Sequence, residues 1–240
     1  ENKRLKVAID AEIFWSTCFQ RTYLNDEFFD AESRTWIFNW DGWIHEIHMM
    51  GTELPHTLKD PEDFPILGDE TDAFILKELE KDPTISFSEL AKKLGVTTQS
   101  IIYRYRRIMK RGLVEGFDAS LFPFGNETDY YFFKFDFDCQ EKMAKFAMSL
   151  LHKPFASVLG KTLGENAIIA GIRLPRAEFR NFIDAVSRMA QMGTIKNFKY
   201  VIQDLRKIAR QTFSYEHFKG QSWTYNHTSH LENLQRLVKK

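Results

Sequence analysis

The chain is poor in cysteine, in long apolar runs and in net charge. Its two cysteines, Cys18 and Cys139, share no motif, which argues against a disulfide framework or a cysteine-based zinc site. No apolar stretch approaches the roughly 20 residues that span a bilayer, and no signal-peptide pattern opens the chain. A reducing cytoplasm is the expected compartment, with no membrane partner. Lys+Arg and Asp+Glu number 33 each, so a polybasic coat is excluded but a local patch is not. The 12 glycines form neither GxGxxG nor a P-loop, which leaves nucleotide-dependent chemistry without support. His45, His48, His217, His227 and His230 gather in two groups without an HExxH helix; they are read as exposed or packing residues, with no metal and no cofactor expected.

What is abundant is phenylalanine, 22 residues, within an ordinary globular composition of 43% hydrophobic and 28% charged residues. At 240 residues the chain is long enough for more than one core. Residues 1–66 are aromatic-rich and irregular. Trp36, Phe38 and Trp40 alternate before Gly42, which reads as a hairpin, and Pro55, Pro61 and Pro65 mark a linker. From Gly68 the period turns helical. Asp69, Glu70 and Asp72 open a first helix carrying Phe74, Ile75 and Leu79 on one face, and Ser86-x-x-Glu89 is a capping box for a second helix that stops at Gly95. Thr97 caps a third helix that ends at Gly112, followed by a short strand around Gly116. Helix, short helix, turn, helix and short hairpin spell a winged helix-turn-helix over residues 67–118.

A connector, residues 119–128, leads to an α+β pattern over 129–205. Tyr131, Phe133, Phe135 and Phe137 alternate with Phe132, Lys134, Asp136 and Asp138, the mark of a strand buried on one face, here expected at a dimer interface. Base stacking on these rings is disfavoured because acids interleave them. Two amphipathic helices and three further strands complete a ferredoxin-like βαββαβ order. Residues 206–240 form a polar extension.

The stretch LGVTTQSIIYRYRRIMKRGLVEGF carries five cations and no acid between Arg104 and Arg111. At about 100° per residue Ile101, Tyr105 and Ile108 share one side of the helix, and Gln99, Tyr103, Arg106, Arg107 and Lys110 the other. Such segregation suits a helix that enters a DNA major groove. Thr97 starts the helix; Thr98, Gln99, Ser100 and Tyr103 near its N-terminus are the expected base contacts, with Gln99 matched to adenine and Tyr103 to a thymine methyl. Arg104, Arg106, Arg107 and Lys110 are the expected phosphate contacts, supplying affinity and register. A monomer of this size covers few base pairs, so two-fold self-association over a palindrome follows.

These residues resemble the leucine-responsive regulatory protein (Lrp/AsnC) family. LGDETDAFILKELEKD is similar to that family's opening helix. Leu94-Gly95-Val96-Thr97 match its turn, Ile101 and Arg104-Tyr105 its recognition-helix positions, and Gly112 with Gly116-Phe117 its wing. The resemblance covers residues 67–205 and implies a sequence-specific transcription regulator, not an enzyme. It implies double-stranded DNA, a further copy of the chain and a small-molecule effector as partners, with Gly164 and Asn166 as ligand-binding residues. Asn166 stands where the family carries an acid, which weakens recognition of an ammonium group. Siroheme decarboxylases resemble the same fold and supply the alternative, an enzyme with His152 and Arg173 handling propionates; a protein-binding adaptor is the third reading. Finally, residues 21–43 resemble residues 199–223, with Gly42-Trp43 set against Gly220 and Trp223. The chain, which begins at Glu1, is therefore expected to be the later part of a tandem protein whose earlier effector-like domain ends within residues 1–66.

Overall fold

A computed structural model describes residues 15–17, 20–21, 28–60, 62, 67–114, 116–117, 128–203, 217–220, 222–224 and 226–238. In chain order the elements are β1 (Gln20–Arg21), β2 (Phe29–Asp30), β3 (Thr35–Trp36), α1 (Trp40–Met49), α2 (Glu70–Lys81), α3 (Phe87–Leu94), α4 (Thr98–Lys110), β4 (Thr128–Asp136), α5 (Gln140–Leu150), β5 (Ala156–Lys161), β6 (Ala167–Pro175), α6 (Phe179–Gln191), β7 (Asn197–Gln203), β8 (Phe218–Lys219), β9 (Ser222–Trp223) and α7 (His227–Val238). They fall into two compact units, one within residues 63–120 and 209–240, the other within 13–62 and 121–208.

The second unit is the α+β domain. Its antiparallel sheet runs β5-β6-β4-β7 with β1 added at the β5 edge, the ferredoxin-like order with one extra strand. Period-two alternation buries Tyr131, Phe133, Phe135 and Phe137 on one side of β4. Those rings meet the domain's own helices: Phe135 lies 4.7 Å from Phe146 of α5 and Phe133 5.3 Å from Phe182 of α6, ring centre to ring centre. The aromatic face of β4 is thus an internal core, and its assignment to a dimer interface is corrected.

A larger correction concerns residues 1–66. In their described part they are neither a separate segment nor a free linker. The helix α1 packs against α5 and α6, burying Trp43, Ile44 and Ile47, each worth about 1.5–3 kcal/mol in area removed from water. Trp43 stacks on Phe182 at 5.8 Å and donates its indole N–H to Ser149 Oγ at 3.0 Å. Trp40 donates to Glu178 Oε2 at 2.9 Å. Lys153 pairs with Glu46, and Lys161 Nζ with Asp60 at 2.6 Å. In the proline-rich stretch Leu54 and Leu58 are buried in the same core. Gly42 sits inside α1 and not in a turn, because Asn39 caps the helix by accepting from the Gly42 N–H at 2.8 Å; the true hairpin is β2–β3, turning at residues 31–34.

The first unit holds α2, α3 and α4 around Ile75, Leu79, Leu90, Ala91, Ile101 and Ile108. Asp69 and Asp72 form a reciprocal capping box at α2. Ser86 accepts from Glu89 N–H, and Gly95, at φ 66°, closes α3 in the left-handed conformation that glycine adopts without penalty. Beyond α4, Leu113 and Val114 pack on this core, but no strand occurs among the described residues 113, 114, 116 and 117. The wing is therefore a coil there and not the expected strand. In the C-terminal extension Phe218 of β8 is buried, and Gly220 N–H donates to Glu70 Oε1 of α2 at 3.1 Å.

Candidate nucleic-acid interface

The turn between α3 and α4 sets the recognition helix. Thr97 Oγ1 accepts from Ser100 N–H at 3.2 Å and fixes the helix start. Ile101 and Ile108 are fully buried, and Tyr105 packs on Phe87 at 5.1 Å between ring centres. On the other side Gln99, Tyr103, Arg106 and Lys110 are exposed. Their spacing of four, three and four residues places them in one stripe along the helix. Tyr103 is 67% exposed, a large aromatic standing in solvent at the stripe's centre. Thr98 is exposed beside it, and Ser100 is half-buried.

Two of the expected phosphate contacts are engaged elsewhere. Arg104 reaches Asp69 Oδ2 at 2.7 Å and Asp72 Oδ1 at 3.0 Å. Arg107 pairs with Asp72 and lies 3.4 Å from Asp69 Oδ2. Asp72 is 1% exposed, so this cluster clamps the start of α2 to the middle of α4. The same carboxylates that cap α2 anchor α4. Arg106 and Lys110 make no ion pair among the described residues. Arg111 donates to the Leu67 carbonyl. A helical wheel of α4 alone could not separate Arg106 from Arg107; the signal was Asp69 and Asp72 at N-cap and N3 of a preceding helix, matched by arginines spaced three apart.

Burial opposes charge on Asp69, but hydrogen bonds from Arg104 and from the Asp72 amide outweigh it and hold its carboxyl below the ordinary carboxylate value. Hydrogen bonds from Lys81 and Lys93, both at 2.6 Å, lower that of Glu78 likewise. Carboxyls lowered on folding stabilise above their unfolded pKa, about 4, and that contribution disappears as pH falls through the folded values. The α2–α4 unit is therefore expected to lose stability only below about pH 4, measured as amide exchange or helical circular dichroism against pH. Unchanged stability from pH 5 to pH 3 contradicts the clamp.

The expected ligand residues lie in the other unit. Gly164, at φ 72°, and Asn166 are both exposed in the β5–β6 turn, where the Asn166 carbonyl accepts from Phe137 N–H at 2.8 Å. His152 is exposed after α5, and Arg173 of β6 lies over the Tyr130 ring at 5.6 Å. No group of three or more His, Cys, Asp or Glu suited to a metal occurs among the described residues. None of the described helices is long and apolar enough to cross a membrane.

A family model for the AsnC-type helix-turn-helix domain matches residues 69–109. The HTH-type transcriptional regulator LrpA of Pyrococcus horikoshii is 36% identical over 55 residues, 23% of this chain and 39% of LrpA; the chain thus spans about two fifths of that relative's length. An uncharacterized HTH-type transcriptional regulator of the same organism is 29% identical over 147 residues, 60% of this chain and 87% of its own length. A transcriptional regulator of Neisseria meningitidis, solved as a complex with L-Met, shares the fold with TM-score 0.50 at 16% identity, covering 62% of this chain and 98% of that one. From the α2 cap to the last turn of α4, the chain carries a helix-turn-helix of the AsnC type.

Proposed function

We propose that the chain is a sequence-specific DNA-binding transcription regulator that acts as a dimer or higher oligomer in the cytoplasm and performs no catalysis. The exposed stripe Gln99, Tyr103, Arg106 and Lys110 carries this reading, presented on a helix whose opposite side is buried and whose middle is clamped by Asp69 and Asp72. Thr98, Gln99 and Tyr103 face the bases, with Ser100 at the groove margin. Arg106 and Lys110 hold phosphates; Arg104 and Arg107 hold the helix that does so. The β5–β6 turn with Gly164 and Asn166 is the proposed effector edge, and the methionine complex of the Neisseria regulator makes amino acids the first ligands to try.

Selection of bound fragments from random duplex DNA is expected to return a palindrome. Its affinity should fall steeply with salt, and Arg106→Ala with Lys110→Ala should reduce the log–log slope by about 1.8 per helix. Arg104→Ala should leave the slope nearly unchanged while weakening the fold. Gln99→Ala should cost about 1–3 kcal/mol on the selected site and little on random DNA. Salt-insensitive binding, or recovery of no sequence, overturns the reading.

A further inference from the structure

The hairpins β2–β3 and β8–β9 share one design. In each, two-residue strands pair with a Phe opposite a Trp: Phe29 with Trp36 and Phe218 with Trp223. The ring centres lie 5.3 and 5.1 Å apart, tilted 57° and 54°. One backbone bond closes each hairpin at the equivalent place, Ile37 N–H to Phe28 O at 2.8 Å and Thr224 N–H to His217 O at 2.6 Å. The register therefore sets Trp36 against Trp223, correcting the pairing of Gly42-Trp43 with Gly220 and Trp223.

The two hairpins differ in what becomes of the phenylalanine. Phe29 is 40% exposed, whereas Phe218 is 6% exposed. The Phe–Trp contact is alike in both, so the additional cover of Phe218 comes from outside its hairpin. Its strand β8 packs on α2. There Gly220, at φ 55°, gives its N–H not to the hairpin but to Glu70 Oε1, a charge-assisted bond of 3.1 Å.

This seat lies on the weakest part of α2. The first amides of a helix have no intrahelical acceptor, and terminal turns open at the lowest cost. In α2 that turn carries Asp69 at the cap and Asp72 at N3, the two carboxylates that receive Arg104 and Arg107. Opening of the turn therefore frees α4 as well. Glu70 stands between the two acids, so a hairpin that holds Glu70 holds both.

We propose that the β8–β9 hairpin is a clasp of the helix-turn-helix unit: Phe218 and Gly220 hold the first turn of α2 and thereby position α4. Phe218, Gly220 and Glu70 are positioning residues and touch no DNA. The clasp joins groups 150 residues apart in the chain, which makes the polar C-terminal extension a working part of the unit. Its effect on DNA binding rests on the function proposed above; the clasp itself does not.

Amide exchange in the full chain tests the clasp without DNA. Phe218→Ala is expected to raise exchange at Ala73, whose N–H bonds the Asp69 carbonyl, and along α4, by about ten-fold or more. Phe29→Ala, the same change in the other hairpin, should leave both unchanged. Glu70→Ala should raise exchange at the same places, and Glu70→Gln, which keeps an acceptor, should restore most of the protection. Glu70 is exposed, so this pair decides if Phe218→Ala unfolds the unit. No rise in Phe218→Ala, an equal rise in Phe29→Ala, or no difference between the two Glu70 variants overturns the proposal. On duplex DNA, Phe218→Ala should weaken selected and random sites by one common factor at an unchanged salt slope, because the competent fraction falls and no phosphate contact is lost. A slope reduced by about 0.9 makes the hairpin a phosphate contact and overturns its positioning role. If the parent chain binds no duplex, the DNA reading fails and exchange alone decides the clasp.

Discussion

Replacing Asp72 by alanine is expected to destabilise the helix-turn-helix by about 3 kcal/mol. Asp72 is 1% exposed and accepts from both Arg104 and Arg107. Its removal leaves two half-buried guanidinium groups sharing Asp69 alone and deletes one half of the α2 capping box. Breaking a buried ionic cluster from one side costs more than the cluster contributes, because the remaining charges lose their compensation. The two arginine side chains keep 25% and 28% of their surface in solvent, which holds the loss near the low end of the range for buried pairs. Hydrogen exchange over α2–α4 measures it directly. The contrast is Arg106→Ala, expected within about 0.5 kcal/mol of the parent because no described residue pairs with it. If both variants exchange alike, the clamp is ornamental and Arg104 and Arg107 return to the set of phosphate contacts.

Trp43→Ala should have the larger effect on the α+β unit, about 3–5 kcal/mol. The ring is 3% exposed and touches Phe146, Phe155 and Phe182, with its N–H satisfied by Ser149. Truncation opens a cavity between α1 and the α5–α6 layer and removes the bond that Ser149 accepts, leaving its hydroxyl with the Phe146 carbonyl alone. Denaturant unfolding followed by the fluorescence of the remaining tryptophans reports it. A loss below about 1 kcal/mol would show that α1 is an appendage and not a third element of the helical layer.

Much of the fold was legible because local chemistry and tertiary demand agree. The period of two in Tyr131–Phe137 gave β4, and the caps Ser86 and Thr97 with Gly95 gave the helix-turn-helix, since each signal is satisfied within a few residues. Residues 36–43 misled because Trp36, Phe38 and Trp40 alternate like a strand while only Trp36 lies in one; the helix begins at Trp40, and its i, i+3, i+4 pattern shows only further on, at Trp43, Ile44 and Ile47. The proline-rich stretch misled for another reason: Leu54 and Leu58 are buried by partners far along the chain. Within the candidate site the stripe through Gln99 and Tyr103 was readable from helical period. The fate of Arg104 and Arg107 was not, because their partners lie 32 to 38 residues away and periodicity carries no information across that gap.

If the proposed function holds, the Asp69–Asp72 clamp also shapes search along the genome. Of the five cations between Arg104 and Arg111, two are neutralised inside the domain, so α4 offers duplex DNA a small positive charge despite its basic sequence. Non-specific affinity, which scales with the number of phosphates neutralised, is correspondingly low for this helix. On the proposed DNA-binding function, the chain would spend little time parked on unrelated DNA, and discrimination would fall to the uncharged Gln99 and Tyr103.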